Sequence, residues 1–250
     1  MRLGGRIAVI SGAAGGIGRV ACKRFCEEGA AVIGVDLDEA GGEALVTELA
    51  GSGVEFRFRR VDVSSGADVD ARAAEIKERE GRVDVLFNNA GIVLAKSLAD
   101  TTEADWDRVL DVNLKSVFLM ARALSPYMEA GSSMVNVGSI GGINASPELV
   151  AYGPAKAAVA HLSRVLAAGL GPRVRVNAIC PGNVDTPMPR AFAEAAADPD
   201  AVLRELSSWS LLDRMGTPEE IVNLALWLAS DEASFVSGSV ITIDGGSTVG

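Results

Sequence analysis

The sequence predicts one α/β domain, a doubly wound parallel sheet with helices on both faces. Three observations carry that expectation. Short aliphatic runs alternate with helical runs along the 250 residues, the pattern of repeated strand–helix–strand units. A glycine-rich turn follows the first strand and opens the first helix. The composition, 48% hydrophobic but 5% aromatic with 28 glycines, suits aliphatic strands buried on both faces and many tight strand–helix turns. Linker-like, repetitive and low-complexity stretches do not interrupt residues 1–250, so a single domain is expected.

Taken in order, Arg6 to Ile10 is the first strand. Ser11-Gly12-Ala13-Ala14-Gly15-Gly16-Ile17-Gly18 follows, then a helix from Ile17 to Glu28. Gly12, Gly16 and Gly18 make a G-x-x-x-G-x-G spacing. Such a loop brings backbone N–H groups up to a pyrophosphate at the positive end of a helix, although glycine also serves tight turns for conformational reasons alone. Ala31 to Val35 is the second strand, and Asp36 stands at its end. An acid there accepts hydrogen bonds from both ribose hydroxyls of an adenosine and repels a 2′-phosphate. Neither Ala14 nor Leu37 is a base that would neutralise one, so NAD is expected over NADP.

The alternation continues with a helix over 39–50, a strand over 54–60, a helix over 67–80 and a strand over 83–87. Asp62, before Val63, either binds an adenine amino group or caps a turn. Asn88-Asn89-Ala90-Gly91 falls at the carboxyl edge of the sheet, where ligands of open α/β sheets bind, or serves as a turn. The helical region 103–129 carries Asn113 among Val112, Leu114 and Val117. An asparagine in mid-helix is unfavourable by propensity and costly to bury unpaired, so it needs a polar partner or a role. Met134 to Val137 is the fifth strand, ending at Gly138-Ser139. A helix over 150–169 and a strand from Val174 to Ile179 lead to Cys180-Pro181-Gly182-Asn183-Val184-Asp185-Thr186-Pro187. Residues 186–213 break the alternation and are long enough for a lid over the site, or for a surface excursion. Thr217, Pro218 and the acids Glu219 and Glu220 open a helix over 218–229, and Val240 to Ile243 is the last strand.

The helix over 150–169 holds the pair with most chemistry in it. Tyr152 and Lys156 are four apart and so share one helix face. At ~4 Å and an effective dielectric of ~20, a lysine cation favours a phenolate by up to ~4 kcal/mol before desolvation opposes it. That would draw a phenol from about 10 towards neutrality, where a general acid/base works best. An amphipathic ring beside a snorkelling lysine is the bland reading. With two tyrosines in the chain and few lysines, the spacing arises by chance in roughly one such chain in twenty-five.

The formal charge of −10 argues against nucleic acid or an anionic membrane as partner. No apolar run of bilayer length occurs, and the first six residues lack a signal peptide's apolar core, so a cytoplasmic location is expected. Cys22, Cys26, Cys180 and His161 form no metal-ligand spacing; buried structural thiols and a packed or surface histidine are expected, and no metal.

Together these pieces resemble the short-chain dehydrogenase/reductase family in its form of about 250 residues, over nearly the whole chain. The resemblance rests on the Gly12–Gly18 loop, Asp62-Val63, Asn88 to Gly91, Asn113, Ser139, Tyr152 with Lys156, Pro181-Gly182, and Ser237-Gly238 through Asp244-Gly245-Gly246. It implies a Rossmann-type sheet of seven strands, commonly assembled as a homotetramer. It also implies a catalytic tetrad of Asn113, Ser139, Tyr152 and Lys156. Tyr152 would exchange the substrate's proton and Ser139 would orient its oxygen. Lys156 would hold the nicotinamide ribose and lower the Tyr152 pKa, while Asn113 would hold a water linking Lys156 to solvent. The implied cofactor contacts are Gly12, Gly15, Gly16, Ile17 and Gly18, then Asp36, Leu37, Asp62 and Val63. Asn89, Ala90, Gly91, Tyr152 and Lys156 follow, with Pro181, Gly182, Val184 and Thr186 completing the set. Ser11 replaces a usual threonine, Ala155 a frequent serine, and Pro154 enters the first turn of the Tyr152 helix. Near 168–172 the chain is a residue short and lacks a customary glutamate, which predicts an altered helix end.

Within that family the sequence is similar to 3-oxoacyl-carrier-protein reductases, which typically use NADPH and dock an acidic carrier through bases near the site. The matching segment 126–133 contains no base, and the protein is itself acidic. The expected reaction is therefore hydride transfer between NAD and a free, fairly apolar secondary alcohol or ketone. The carrier-protein reductase is the alternative, and a catalytically idle dinucleotide-binding member the third reading. Residues 92–96, 140–149 and the lid would form the pocket, with Met188, Phe192 and Trp209 either lining it or packing on a neighbouring helix.

Overall fold

Each strand begins where a run of branched aliphatic residues begins. In the computed structural model, which describes residues 1–51, 53, 55–194 and 196–249, these are β1 (Ile7–Ser11), β2 (Ala31–Asp36), β3 (Phe56–Arg60), β4 (Val85–Asn88), β5 (Ser132–Val137), β6 (Val174–Pro181) and β7 (Val240–Ile243). They form one seven-stranded sheet in the order β3-β2-β1-β4-β5-β6-β7, with every pairing parallel. Parallel neighbours need a crossover, which explains the helix between successive strands. The winding reverses between β1 and β4, and the loops leaving those two strands diverge there to open a crevice at the carboxyl edge.

Side-chain alternation along each strand divides the core in two. On one face Ile10, Val32, Phe87, Val135 and Ile179 pack with Phe25 of α1 (Gly16–Glu27) and Leu226 of α9 (Pro218–Ala229). The Phe25 and Phe87 rings stack at 6.0 Å between centroids. On the other face Val9, Ile33, Leu86, Met134 and Val176 meet Ile76 of α3 (Gly66–Glu80) and Leu119 of α5 (Ser116–Leu124). Burying each such side chain stabilises the fold by ~1.5–3 kcal/mol before chain entropy is counted. α2 (Glu39–Leu49) lies over β3, where the Phe58 ring fills the space a side chain at Gly42 would need.

Several strand ends differ from expectation by one or two residues: β5 starts at Ser132 and β6 runs on through Pro181. Val54, expected to open the third strand, lies outside the described residues. The largest departure is in the region 103–129, which is not one helix. α4 (Glu103–Leu110) gives way to a π-helical turn at Asp111–Lys115 before α5, and a 3₁₀ turn at Ser125–Tyr127 follows. The Asn113 amide causes the first break by donating to the Val109 carbonyl at 2.9 Å, inside the helical ladder. Pro126 accounts for the second, since it has no N–H to donate. α6 (Tyr152–Leu170) accommodates Pro154 in its first turn, where no N–H is required, and ends one residue later than expected, at Leu170. Residues 186–213 form two short helices, α7 (Pro187–Glu194) and α8 (Pro199–Ser208), which pack on each other.

Candidate active site

The carboxyl edge of the sheet gathers most of the residues singled out above. Gly12 turns the chain with φ +68°, a conformation that favours glycine. A Cβ there would stand 2.8 Å from the Asn89 amide nitrogen and 2.9 Å from the Ala90 Cα. At Gly18 it would lie 1.9 Å from the Gly12 carbonyl oxygen, and at Gly16 2.7 Å from Thr186. The glycines therefore let the loop, the Asn89–Ala90 segment and the start of the 186–213 region close on one another. The Ser11 hydroxyl accepts the N–H groups of Asn89 and Ala90 at 3.1 Å each.

This loop fits a dinucleotide's pyrophosphate. α1 begins after Gly15 with no capping side chain and no acid in its first turn, whereas Asp38, Ser65, Thr102, Asp198 and Thr217 cap α2, α3, α4, α8 and α9. The first N–H groups of α1, around Gly16, Ile17 and Gly18, thus keep their donors for a ligand. Asp36 lies beside the loop. One of its oxygens accepts the Ala14 N–H and the other the Asp38 N–H, both at 3.0 Å, and Leu37 is exposed next to it. Each oxygen retains a lone pair for a ribose hydroxyl. Of the two readings of Asp62, the structure displays the turn. Its Oδ1 accepts from the Ser64 N–H at 2.9 Å and the Ser64 hydroxyl at 2.6 Å, while Val63 is buried in the core.

Across the crevice, α6 lies against the loop leaving β5. Its backbone at Lys156–Ala157 comes so close to Gly142 that a Cβ there would be 2.5 Å from the Ala157 nitrogen. A Cβ on Gly141 would touch both Tyr152 Cε1 at 3.3 Å and Ser139 Oγ at 3.4 Å, so ring and hydroxyl border the same small space. Ser139 Oγ accepts the Gly141 N–H at 3.0 Å, which leaves its own hydrogen free to donate. The Lys156 ammonium is buried, donates to the Val137 carbonyl at 2.9 Å and lies 5.8 Å from the Tyr152 ring centre. Gly91 separates Lys156 from Asn113. A Cβ at Gly91 would stand 2.8 Å from Asn113 Oδ1 and 3.2 Å from Lys156 Nζ.

One expectation about these groups is corrected. Lys156 does not draw the phenol down: burial raises the Tyr152 pKa above 10, against which the Ser139 side chain lowers it. The reason is the order of titration: Lys156 loses its charge at a lower pH than the one at which the buried phenol can ionise, so no cation is left to favour the phenolate. Burial pushes Lys156 itself down to about 8, with the Cys180 charge opposing. Asn113 is fully buried, and both its amide hydrogens are spent, on the carbonyls of Val109 and Ile92 at 2.9 Å each. Its oxygen accepts the Ile92 N–H at 3.3 Å. Its side chain thus ties the π turn to the loop leaving β4.

The other edge of the crevice is formed by Pro181-Gly182 and the chain that follows. Gly182 passes so near Asp244 that a Cβ would be 2.9 Å from that residue's Cα, and Val184 is buried. The Asn183 amide reaches the Leu206 carbonyl of α8 at 2.9 Å, and Arg190 of α7 forms a bidentate pair with Asp185 at 2.7 and 2.9 Å. Met188 and Trp209 are about half exposed, while the Phe192 side chain lies outside the described residues. Lys96 and Leu149 bridge in parallel, joining 92–96 to 140–149 as one wall. Lys96 also binds Asp105 at 2.7 Å, a contact that holds that carboxyl down at about 2.

Sequence reasoning did not single out the buried ladder beneath the site. Asn88 donates to Asn136 at 2.8 Å, Asn136 to Ser163 at 2.9 Å, and Ser163 to the Val159 carbonyl at 2.8 Å. This ladder joins β4, β5 and α6. Its only signal in the sequence is asparagine inside two strands, where propensity disfavours it. Cys22, Cys26 and Cys180 are all buried with thiol pKa values raised by burial, Cys26 to about 12, and His161 is exposed on α6.

Residues 12–248 match a family model described as Enoyl-(Acyl carrier protein) reductase. The chain is similar to a 3-oxoacyl-[acyl-carrier-protein] reductase of Thermotoga maritima, with 39% identity over 98% of this chain and 99% of that one. Among solved structures it resembles a short-chain dehydrogenase/reductase of Burkholderia xenovorans at TM-score 0.95 and 36% identity, covering 100% of this chain and 98% of that one. It also resembles a levodione reductase at TM-score 0.94 and 33% identity, covering 99% of each chain.

Proposed function

The chain belongs to the short-chain dehydrogenase/reductase family, and from that premise we propose that it transfers a hydride between NAD(H) and a small, fairly apolar secondary alcohol or ketone. The observation that carries this reading is the Ser139 side chain acting by hydrogen bond on the buried Tyr152 phenol, beside the buried Lys156 ammonium, on a sheet edge that also holds the uncapped α1 terminus.

A nicotinamide bound along this edge supplies or accepts the hydride. The side chains handle the proton and the charge on the substrate oxygen. Ser139, its oxygen pinned by Gly141, donates to that oxygen, and Tyr152 gives up its phenolic proton as negative charge develops. Burial keeps the phenol protonated at neutral pH, the form a carbonyl reduction needs. Lys156 has hydrogens beyond the one given to Val137, and these serve the ribose hydroxyls and the phenolate formed after transfer. Asn113 acts by holding Ile92, and with it Gly91, against Lys156, next to the water proposed to link Lys156 to solvent. Asp36 favours NAD over NADP through its free lone pairs, and the remainder of the proposed groove is assigned to Asp62, Asn89, Ala90, Val184 and Thr186, with the buried Val63 offering its backbone.

An uncharged substrate is favoured because the cations of the wall and the α7–α8 region are neutralised, Lys96 by Asp105 and Arg190 by Asp185. The exposed Met188 and Trp209 add apolar surface at the proposed lid. The test is turnover of a panel of free secondary alcohols with NAD, by native chain and Tyr152→Phe. The variant is expected to lose at least a hundredfold in kcat while still binding NADH. Full activity in Tyr152→Phe would sink the mechanism. A second reading, reduction of a 3-oxoacyl group on a carrier protein, is favoured by the similarity to the Thermotoga reductase. Efficient turnover of an acylated carrier with NADPH would select it.

A further inference from the structure

We propose that Arg60 is a specificity-determining residue at the adenosine end of the groove, placed to receive a 2′-phosphate, so that NADP(H) is a usable second cofactor beside NAD(H). The inference rests on the reading that the Gly12–Gly18 loop and Asp36 hold a nicotinamide dinucleotide.

Arg60 ends β3, and its Cα pairs in register with that of Asp36 at the end of β2. Parallel partners stand about 4.8 Å apart with their side chains on the same face. Phe58, two residues earlier on that face, covers Gly42 of α2. Arg60 therefore continues the same row past the edge of the sheet, towards the first turn of α2. The other two arginines of the strand point the opposite way and are committed there, Arg59 to Glu75 at 2.8 Å and Arg57 to Glu80 and Glu55. Arg60 is exposed, and among the described residues its guanidinium has neither an ion pair nor a hydrogen bond.

Both Asp36 oxygens are anchored by backbone N–H groups, so the carboxylate stays fixed beside the Ala14 loop and does not fold onto Arg60. Asp38 is likewise committed, to the Gly41 N–H at 3.0 Å. A 2′-phosphate at this place meets the fixed carboxylate and, one strand away, a free guanidinium whose planar fork matches phosphate geometry. Opposite charges so close offset each other in their action on the phosphate. The exclusion expected from Asp36 with neutral Ala14 and Leu37 becomes a graded preference. Charge on an edge strand also discourages strand pairing between molecules, and that is the competing explanation of Arg60.

Binding decides the matter without any substrate. NADH and NADPH are titrated into the full chain, following nicotinamide fluorescence, for the native protein, Arg60→Gln and Arg60→Lys. Arg60→Gln is expected to weaken NADPH binding roughly tenfold and NADH binding less than about twofold. Arg60→Lys should restore part of the NADPH affinity. The NADPH affinity that Arg60 adds should fade at ~1 M salt, where the Debye length is about 3 Å. NADPH affinity unchanged in Arg60→Gln overturns the proposal and leaves Arg60 as a solvated edge-strand charge. Equal losses for both cofactors overturn it as well, because the residue would then be shaping the groove. Native protein that binds neither cofactor overturns the underlying dinucleotide reading, an outcome distinct from the other two.

Discussion

Lys156 holds a charge where burial opposes it. Its pKa falls from 10.5 to about 8, and the unfolded chain keeps the ordinary value. Between those values the unfolded state binds more protons, so the penalty is full below about pH 8 and is relieved as pH rises towards 10.5. Lys156→Met removes the titration and leaves every other group in place. The native-minus-variant stability difference, from urea unfolding, is expected to rise across that window by up to ~1.4 kcal/mol per pH unit. A difference that stays flat with pH would mean the ammonium is not desolvated. Tyr152 and the three thiols shift the other way, since burial keeps them protonated; comparing the two chains at each pH cancels Tyr152, Cys22 and Cys26, whereas Cys180 is coupled to the Lys156 charge and contributes to the difference. The residue types of the proposed tetrad were legible in the sequence. That Lys156 turns to the Val137 carbonyl was not, because the direction of a side chain depends on which carbonyl the neighbouring strand presents.

Among the elements, the π turn at Asp111–Lys115 is the feature that positions the site and that periodicity missed. A continuous α-helix and a helix with one extra residue in a turn have nearly the same apolar pattern, so only the Asn113 contacts to Val109 and Ile92 reveal the difference. Gly91 is held between Asn113 Oδ1 and Lys156 Nζ. Gly91→Ala should therefore displace one or both and cost on the order of 1–3 kcal/mol by overpacking, together with weakened NADH binding. Thermal unfolding and cofactor titration check the two halves separately. The helix starts were more legible. Thr217-Pro218 and Glu220 announced α9, and the structure has the full reciprocal cap, Thr217 accepting from the Glu220 N–H and Glu220 from that of Thr217. Thr217→Ala is expected to lower stability by about 1 kcal/mol in chemical denaturation, without effect on NADH binding.

For the whole molecule, apolar side chains left exposed on several elements point to assembly. Trp106, Phe118 and Val165 are at least one-third exposed on α4, α5 and α6, and Phe235 is fully exposed near β7. We propose that these surfaces join copies of the chain into the homotetramer implied by the family. Light scattering should then return four times the 25.8 kDa of the chain, and Phe118→Glu with Val165→Glu should reduce it. A native mass of one chain would defeat the assembly. The net charge of −10 acts at this scale too. It slows encounter with an acidic carrier protein, so any carrier turnover should rise with salt and turnover of a neutral alcohol should not. No described helix is long and apolar enough to cross a membrane.

The sequence by itself determined the parallel sheet, the order of its helices and the residues that converge on its carboxyl edge, because strand period, helix period and glycine spacing are local properties of the chain. Only the tertiary structure decided what those residues face. It placed Arg60 one strand from Asp36, set Gly91 between Asn113 and Lys156, and laid the Asn88–Asn136–Ser163 ladder under the site. Each of these joins residues more than twenty positions apart, and such contacts follow from strand order and register, which no local pattern encodes.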